Sequence, residues 1–264
     1  MTDSLSLQNV TLRFGGLLAV SNLTMSVPHG GIIGLIGPNG AGKTSVFNVI
    51  TGFYKPASGH VEFERPGETP VTITGLPPHE VCRTGLARTF QNIRLFTNET
   101  AVENVMIGAY VRERSKWWMS LLPIFPGAAR EEREIKANAL ELLARLGLKQ
   151  YADARASSLP YGAQRRLEIA RALATKPSFL LLDEPAAGMN PQESAELLGF
   201  IRKLRDDYEL SILLIEHDMK VVMGVCEYIW VLDQGILIAD GKPEEIRKNP
   251  KVIEAYLGKE AAHA

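Results

Sequence analysis

Eight consecutive residues, Gly37-Pro38-Asn39-Gly40-Ala41-Gly42-Lys43-Thr44, match the pattern G-x-x-x-x-G-K-[ST] at every required position. This spacing suits the cradling of a triphosphate. Small residues let the backbone wrap around phosphate oxygens with its N–H groups turned inward, and the lysine adds a cation to the β- and γ-phosphates. The Thr44 hydroxyl is a ligand for Mg²⁺, and Ser45 follows it in the first turn of a helix that starts at Lys43. That helix aims the positive end of its dipole at the same phosphates. The candidate nucleotide-binding residues are therefore Gly37, Pro38, Asn39, Gly40, Ala41, Gly42, Lys43, Thr44 and Ser45.

A loop of this kind needs a carboxylate from a second strand to hold Mg²⁺. Asp183 closes the apolar run Phe179-Leu180-Leu181-Leu182, and Glu184 comes next. Adjacent carboxylates at the end of a partly buried strand repel each other. Their placement makes sense when Asp183 serves the metal and Glu184 polarises an attacking water.

The elements that position these groups are legible from periodicity. Leu5 to Phe14, Leu23 to Val27 and Ile32 to Ile36 read as strands, the last apolar throughout and buried on both faces. Helical spacing of Val46, Val49 and Ile50 follows Lys43, and Arg65 to Pro78 reads as strands and loops at a sheet edge. From Leu95 to Ser158 the pattern is mainly helical, with Ile135, Ala139, Leu142, Leu143 and Leu146 on one face. Leu167 to Ala174 continues as helix. Two apolar strands, ending at Leu182 and Ile215, flank a helix from Pro191 to Tyr208. Strands alternating with helices imply a parallel sheet.

With 29 basic and 30 acidic residues among 264, the formal charge is −1, and nucleic acid is not expected as a partner. The pair Arg165-Arg166 reads as a solvated helix face. Cys82 and Cys226 have no metal-ligand spacing and read as reduced, buried thiols. The amino terminus shows no secretory pattern, and no apolar run approaches the ~18 residues of a membrane span. The expectation is a soluble chain that meets a membrane through partners.

The residues quoted so far resemble the ATP-binding cassette family over nearly the whole chain. Leu159-Pro160-Tyr161-Gly162-Ala163-Gln164 and the helix through Leu173 are similar to the family signature, normally Leu-Ser-Gly-Gly-Gln. In that family the signature of one subunit closes over ATP held by the P-loop of another. The resemblance implies an adenine-stacking ring at Phe14; the alternative reading is a core residue of a sheet edge. It implies a glutamine at Gln91 that reaches Mg²⁺ and reports to the membrane partner. It also implies a switch histidine at His217 that contacts the γ-phosphate. On this reading Lys43, Glu184 and His217 are catalytic, and Thr44, Gln91 and Asp183 hold the metal. The implied fold is a P-loop NTPase α/β core over 1–94 and 159–264, with an antiparallel β-subdomain and an α-helical subdomain inserted over 95–158.

Arg13-Phe14-Gly15-Gly16, Ala87-Arg88-Thr89-Phe90-Gln91 and Glu184-Pro185-Ala186-Ala187-Gly188 resemble the ATP-binding subunits of branched-chain amino-acid importers, as does the tail from Ile246 to Gly258. The implied partners are a second ATPase subunit, two transmembrane permease subunits and a periplasmic or extracellular substrate-binding protein. The implied location is the cytoplasmic face of the membrane. An exporter of lipid-like cargo shares the same core. Soluble ribosome- or DNA-acting relatives usually fuse two cassettes or carry long coiled coils, which this chain does not. A GTPase is disfavoured by the absence of N-K-x-D.

Four positions depart from the family pattern. Pro160 replaces the signature serine, Tyr161 and Ala163 replace a glycine and the glutamine, and Asn190 replaces an aspartate that links the two sites. The P-loop side reads as complete, and the face offered to a partner reads as weakened.

Overall fold

The computed structural model describes residues 3–112 and 126–257. The Trp117–Phe125 segment, for which the sequence suggests packing or partner contact, lies outside the described residues. Polar–apolar alternation makes β1 (Asp3–Phe14) and β2 (Leu17–Pro28) a hairpin with one buried face, carrying Leu5, Leu7, Val10 and Leu12 opposite Val20, Leu23, Met25 and Val27. The apolar β3 (Ile32–Ile36) is buried along its whole length and leads through the glycine-rich loop into α1 (Lys43–Ile50). The chain continues through β4 (Ser58–Phe63), β5 (Val71–Thr72), α2 (Pro78–Thr84) and β6 (Leu86–Arg88). Three longer helices follow, α3 (Ala101–Ala109), α4 (Pro126–Arg145) and α5 (Tyr161–Ala174).

The return passes through β7 (Phe179–Asp183), α6 (Pro191–Tyr208), β8 (Ser211–Ile215), α7 (Met219–Val225), β9 (Tyr228–Asp233) and β10 (Ile236–Gly241). It then enters α8 (Pro243–Lys248) and α9 (Pro250–Leu257). Two sheets result. One is antiparallel, ordered β2-β1-β4-β5, with the short β5 at its edge as the Pro/Gly-rich composition predicts. The other is ordered β10-β9-β3-β8-β7-β6, parallel except for β10. Among the described residues no helix is long and apolar enough to cross a membrane.

The chain divides into two compact units. One joins the residues up to Gln91 with those from Ser178 onward and holds both sheets, and the other runs from Asn92 to Pro177. The sequence pattern ends the helical insertion at 158, whereas the structure carries it through α5. The reason is packing: α5 lies against α3 and α4, and its Leu167, Ile169, Ala170 and Leu173 are buried, as are Val105 of α3 and Leu143 of α4. The structure also overturns the reading of Arg165 as solvated. Arg165 is 0% exposed, and its guanidinium meets Glu168, one helical turn on, at 3.0 Å.

Both sheets of the first unit share one core with α1, in which Phe47, Phe63 and Phe179 are fully buried. The rings of Phe63 and Phe179 meet edge to face with centroids 6.1 Å apart, a favoured aromatic geometry. Phe179→Ala removes this contact and leaves a cavity under β7, so a loss of about 3–5 kcal/mol is expected. The urea midpoint of the variant, compared with the parent chain, checks it.

Candidate active site

The glycine-rich loop owes its shape to backbone conformations that side chains resist. Gly42 caps α1 at φ 99°, and a Cβ there would sit 2.5 Å from the carbonyl oxygen of Ala19 on β2. Gly37, at φ 150°, would place a Cβ 2.0 Å from the Leu232 carbonyl. Only glycine allows the loop to press between β2 and β9. No side chain caps α1, so the amides of its first turn, Lys43, Thr44 and Ser45, remain donors that the helix cannot satisfy internally. Lys43 is 7% exposed and folds back, its Nζ donating to the carbonyls of Gly37 at 2.7 Å and Pro38 at 2.9 Å. Burial pushes its ammonium below the ordinary lysine range, while the nearby charges of Glu184 and Asp183 pull it back up. The lysine and both carboxylates therefore occupy one electrostatic neighbourhood.

Parallel pairing explains why. Leu35 of β3 is opposite Ile215 of β8, and Ile215 is opposite Asp183 of β7. The three strands end at one level, and the residues just beyond each end share a site. Asp183 is buried, and its Oδ2 accepts from Arg88 Nη2 at 2.7 Å. Arg88 also donates through Nη1 to Asn48 at 2.8 Å and Thr51 at 3.2 Å, and its guanidinium lies over the rings of Phe47 and Phe90.

Glu184 adopts a left-handed backbone, φ 45°, a conformation that costs a non-glycine residue roughly 1–3 kcal/mol. Its amide donates to the Ile215 carbonyl at 2.9 Å, which holds the turn against β8. The side chain accepts from Gln91 Nε2 at 2.8 Å, and the same Oε2 is 3.5 Å from His217 Nδ1. Gln91, Glu184 and His217 thus meet around one carboxylate oxygen. Phe14, 43% exposed at the end of β1, meets the ring of Tyr54 edge-on with centroids 5.0 Å apart. It is an exposed aromatic on the hairpin that packs against Gly42, not a core residue.

In the helical unit, Pro160 and Tyr161 open α5 and are exposed, whereas Ala163 is turned into the fold. Asn190 acts locally, as a helix cap. Its side-chain oxygen accepts from the amides of Gln192 and Glu193, both at 3.0 Å, at the start of α6. Three neighbours of the site carry little mark in the sequence. Tyr54 is one. Arg88 is signalled only by lying three residues before Gln91. Glu216 is signalled only by being a carboxylate between an apolar strand and His217.

The described residues contain no group of three or more His, Cys, Asp and Glu able to hold a metal. They do bring one buried carboxylate, a hydroxyl and an amide near the phosphate loop. That hard-oxygen donor set fits Mg²⁺, which is commonly held by one or two carboxylates together with substrate phosphates.

Residues 20–187 match the family model described as ABC transporter, and residues 237–262 match that of the branched-chain amino acid ATP-binding cassette transporter. The high-affinity branched-chain amino acid transport ATP-binding protein BraF of Pseudomonas aeruginosa is 47% identical over 96% of this chain and 97% of its own. LivG of Escherichia coli, of the same description, is also 47% identical over 96% and 97%. The crystal structure of the ADP conformation of an ATP-binding cassette of an ABC transporter superposes with a TM-score of 0.84 at 31% identity, covering 98% of this chain and 100% of that one. The chain belongs to the ABC transporter family as an ATP-binding, ATP-hydrolysing subunit.

Arg88→Met keeps much of the side chain's bulk and removes its charge, leaving Asp183 buried without its guanidinium. Breaking a buried pair from one side costs about 3–5 kcal/mol. A matching fall in the denaturation midpoint of the purified chain is expected.

Proposed function

We propose that the chain couples hydrolysis of Mg²⁺-bound ATP to uptake of branched-chain or closely related amino acids through two transmembrane permease subunits. The observation that carries this reading is full-length kinship with BraF and LivG, joined by the match of the carboxyl-terminal segment to the branched-chain model. The proposed location is the cytoplasmic face of the membrane, held there by the permeases. A periplasmic or extracellular binding protein would deliver the amino acid.

In the proposed chemistry Phe14 stacks on adenine, and the amides from Gly37 to Ser45 surround the phosphates. Lys43 exchanges its two carbonyl partners for the β- and γ-phosphates. Thr44, Asp183 and Gln91 Oε1 hold Mg²⁺, which when bound neutralises phosphate charge. Glu184 takes a proton from water as it attacks the γ-phosphorus in line, the bond to the β,γ-bridging oxygen breaks and ADP leaves, and His217 contacts the γ-phosphate. The 2.8 Å bond from Gln91 to Glu184 supports this reading, because it joins the residue assigned to the permease signal to the residue assigned as base.

The test is reconstitution with the chain's permease subunits in a membrane. Stimulation of ATPase by leucine, isoleucine or valine with their binding protein is expected. Stimulation only by a lipid-like cargo would replace import with export.

We further propose that the working dimer pairs this chain with a related second ATPase, its two sites unequal. Pro160 and Tyr161 stand exposed where the family signature offers a hydroxyl and a glycine. A lost γ-phosphate contact of this kind costs on the order of 1–3 kcal/mol. In the purified complex, Lys43→Ala is expected to remove most turnover, and the equivalent change in the partner's P-loop much less. Equal losses, or a complex built from two copies of this chain, would overturn the asymmetry.

A further inference from the structure

Glu216 is a titratable side chain to which the proposed chemistry assigns no role. It follows the last residue of β8 and is 1% exposed. Each of its oxygens takes one backbone amide. Oε1 accepts from Ala186 at 2.8 Å, and Oε2 accepts from His217 at 3.3 Å. His217 Nδ1 lies 3.9 Å from the same Oε2. Burial pushes the carboxyl of Glu216 above its ordinary range, an effect that these two amides and His217 oppose. An acid placed there is costly to desolvate, and a hydrophobic residue would fill the space without that cost.

We infer that Glu216 is a positioning residue that holds Glu184 in its reactive conformation and couples it to His217. The inference rests on the reading of Glu184 as the base. A left-handed glutamate persists only where its surroundings over-determine it. Here three bonds close to it do so: the Glu184 amide to the carbonyl of Ile215, the Ala186 amide to the side chain of Glu216, and the Ala187 amide to the carbonyl of Glu184. Pro185, between them, has no N–H to contribute. The second of these bonds belongs to the same carboxylate that receives the His217 amide. A shift of His217 as it meets or leaves a γ-phosphate therefore reaches Ala186, and with it Glu184, through one rigid planar group.

Both oxygens accept in this arrangement, which suits an ionised carboxylate, a group that only accepts. Glutamine at this position has the same shape but turns an NH₂ group toward one of the two amides. Glu216→Gln thus breaks the bridge with little change of volume, and it removes no side chain assigned to contact ATP.

The experiment measures kcat, KM, the dissociation constant of a fluorescent ATP analogue and the melting temperature for the assembled transporter. It compares the parent chain, Glu216→Gln and Glu184→Gln. Glu216→Gln is expected to lower kcat by roughly 10- to 100-fold, the scale of a misplaced catalytic group, with nucleotide affinity held within about twofold. Should that variant fail to fold, Glu216→Asp carries the same test, since it keeps the charge but shortens the reach. Wild-type kcat, or losses of affinity and melting temperature that account for the fall, would overturn the inference. If Glu184→Gln is inactive and Glu216→Gln is normal, positioning by Glu216 is wrong and the base assignment stands. If Glu184→Gln itself turns over normally, the base assignment is what fails.

Discussion

The level at which β3, β8 and β7 end governs the chemistry of this molecule. In a parallel sheet with side-by-side register, the loops beyond the carboxyl ends converge, whatever their distance in sequence. Pairing of Leu35 with Ile215, and of Ile215 with Asp183, brings the phosphate loop, the two carboxylates and His217 within reach of one another. The strands hold that register because they are apolar along their whole length and buried on both faces. Slipping any of them would pull its terminal group out of the site.

Arg88 connects this row of strand ends to the next layer. It sits on β6, beside β7, and reaches Asp183, Asn48 and Thr51 while its plane rests on Phe47 and Phe90. A guanidinium suits this position because its fixed fork serves several acceptors and its face stacks on aromatic rings. Gln91 follows three residues later, so the strand that anchors Arg88 also delivers the amide that meets Glu184. Asp183, the helix of the phosphate loop and the segment leading to Gln91 are joined by one side chain.

The site also concentrates unfavourable features. Lys43 is desolvated, Glu216 is a buried acid and Glu184 has a left-handed backbone. Each would be destabilising alone. Together they offset one another, because the charges of Glu184 and Asp183 favour the Lys43 ammonium, and the amides of Ala186 and His217 favour the Glu216 carboxylate. Such a set is rigid only while complete.

Much of this is legible in the sequence, for physical reasons. The loop from Gly37 to Thr44 is a contiguous motif whose residue types follow from close backbone approach to phosphate, so it can be read without a fold. The strands at Ile32–Ile36, Phe179–Asp183 and Ser211–Ile215 appear as apolar runs because both their faces are buried. Local periodicity says nothing of what a residue meets across the sheet. Arg165 reads as half of a solvated basic pair, whereas the folded chain buries it against Glu168. The helical insertion extends past 158 because α5 packs on α3 and α4. Arg88 lies on a three-residue strand, too short to show a pattern, and only its pairing with β7 turns it toward Asp183. Glu216 is likewise ordinary in sequence. It becomes part of the site because the ends of β7 and β8 are adjacent, a relation between residues some thirty positions apart that only tertiary structure decides.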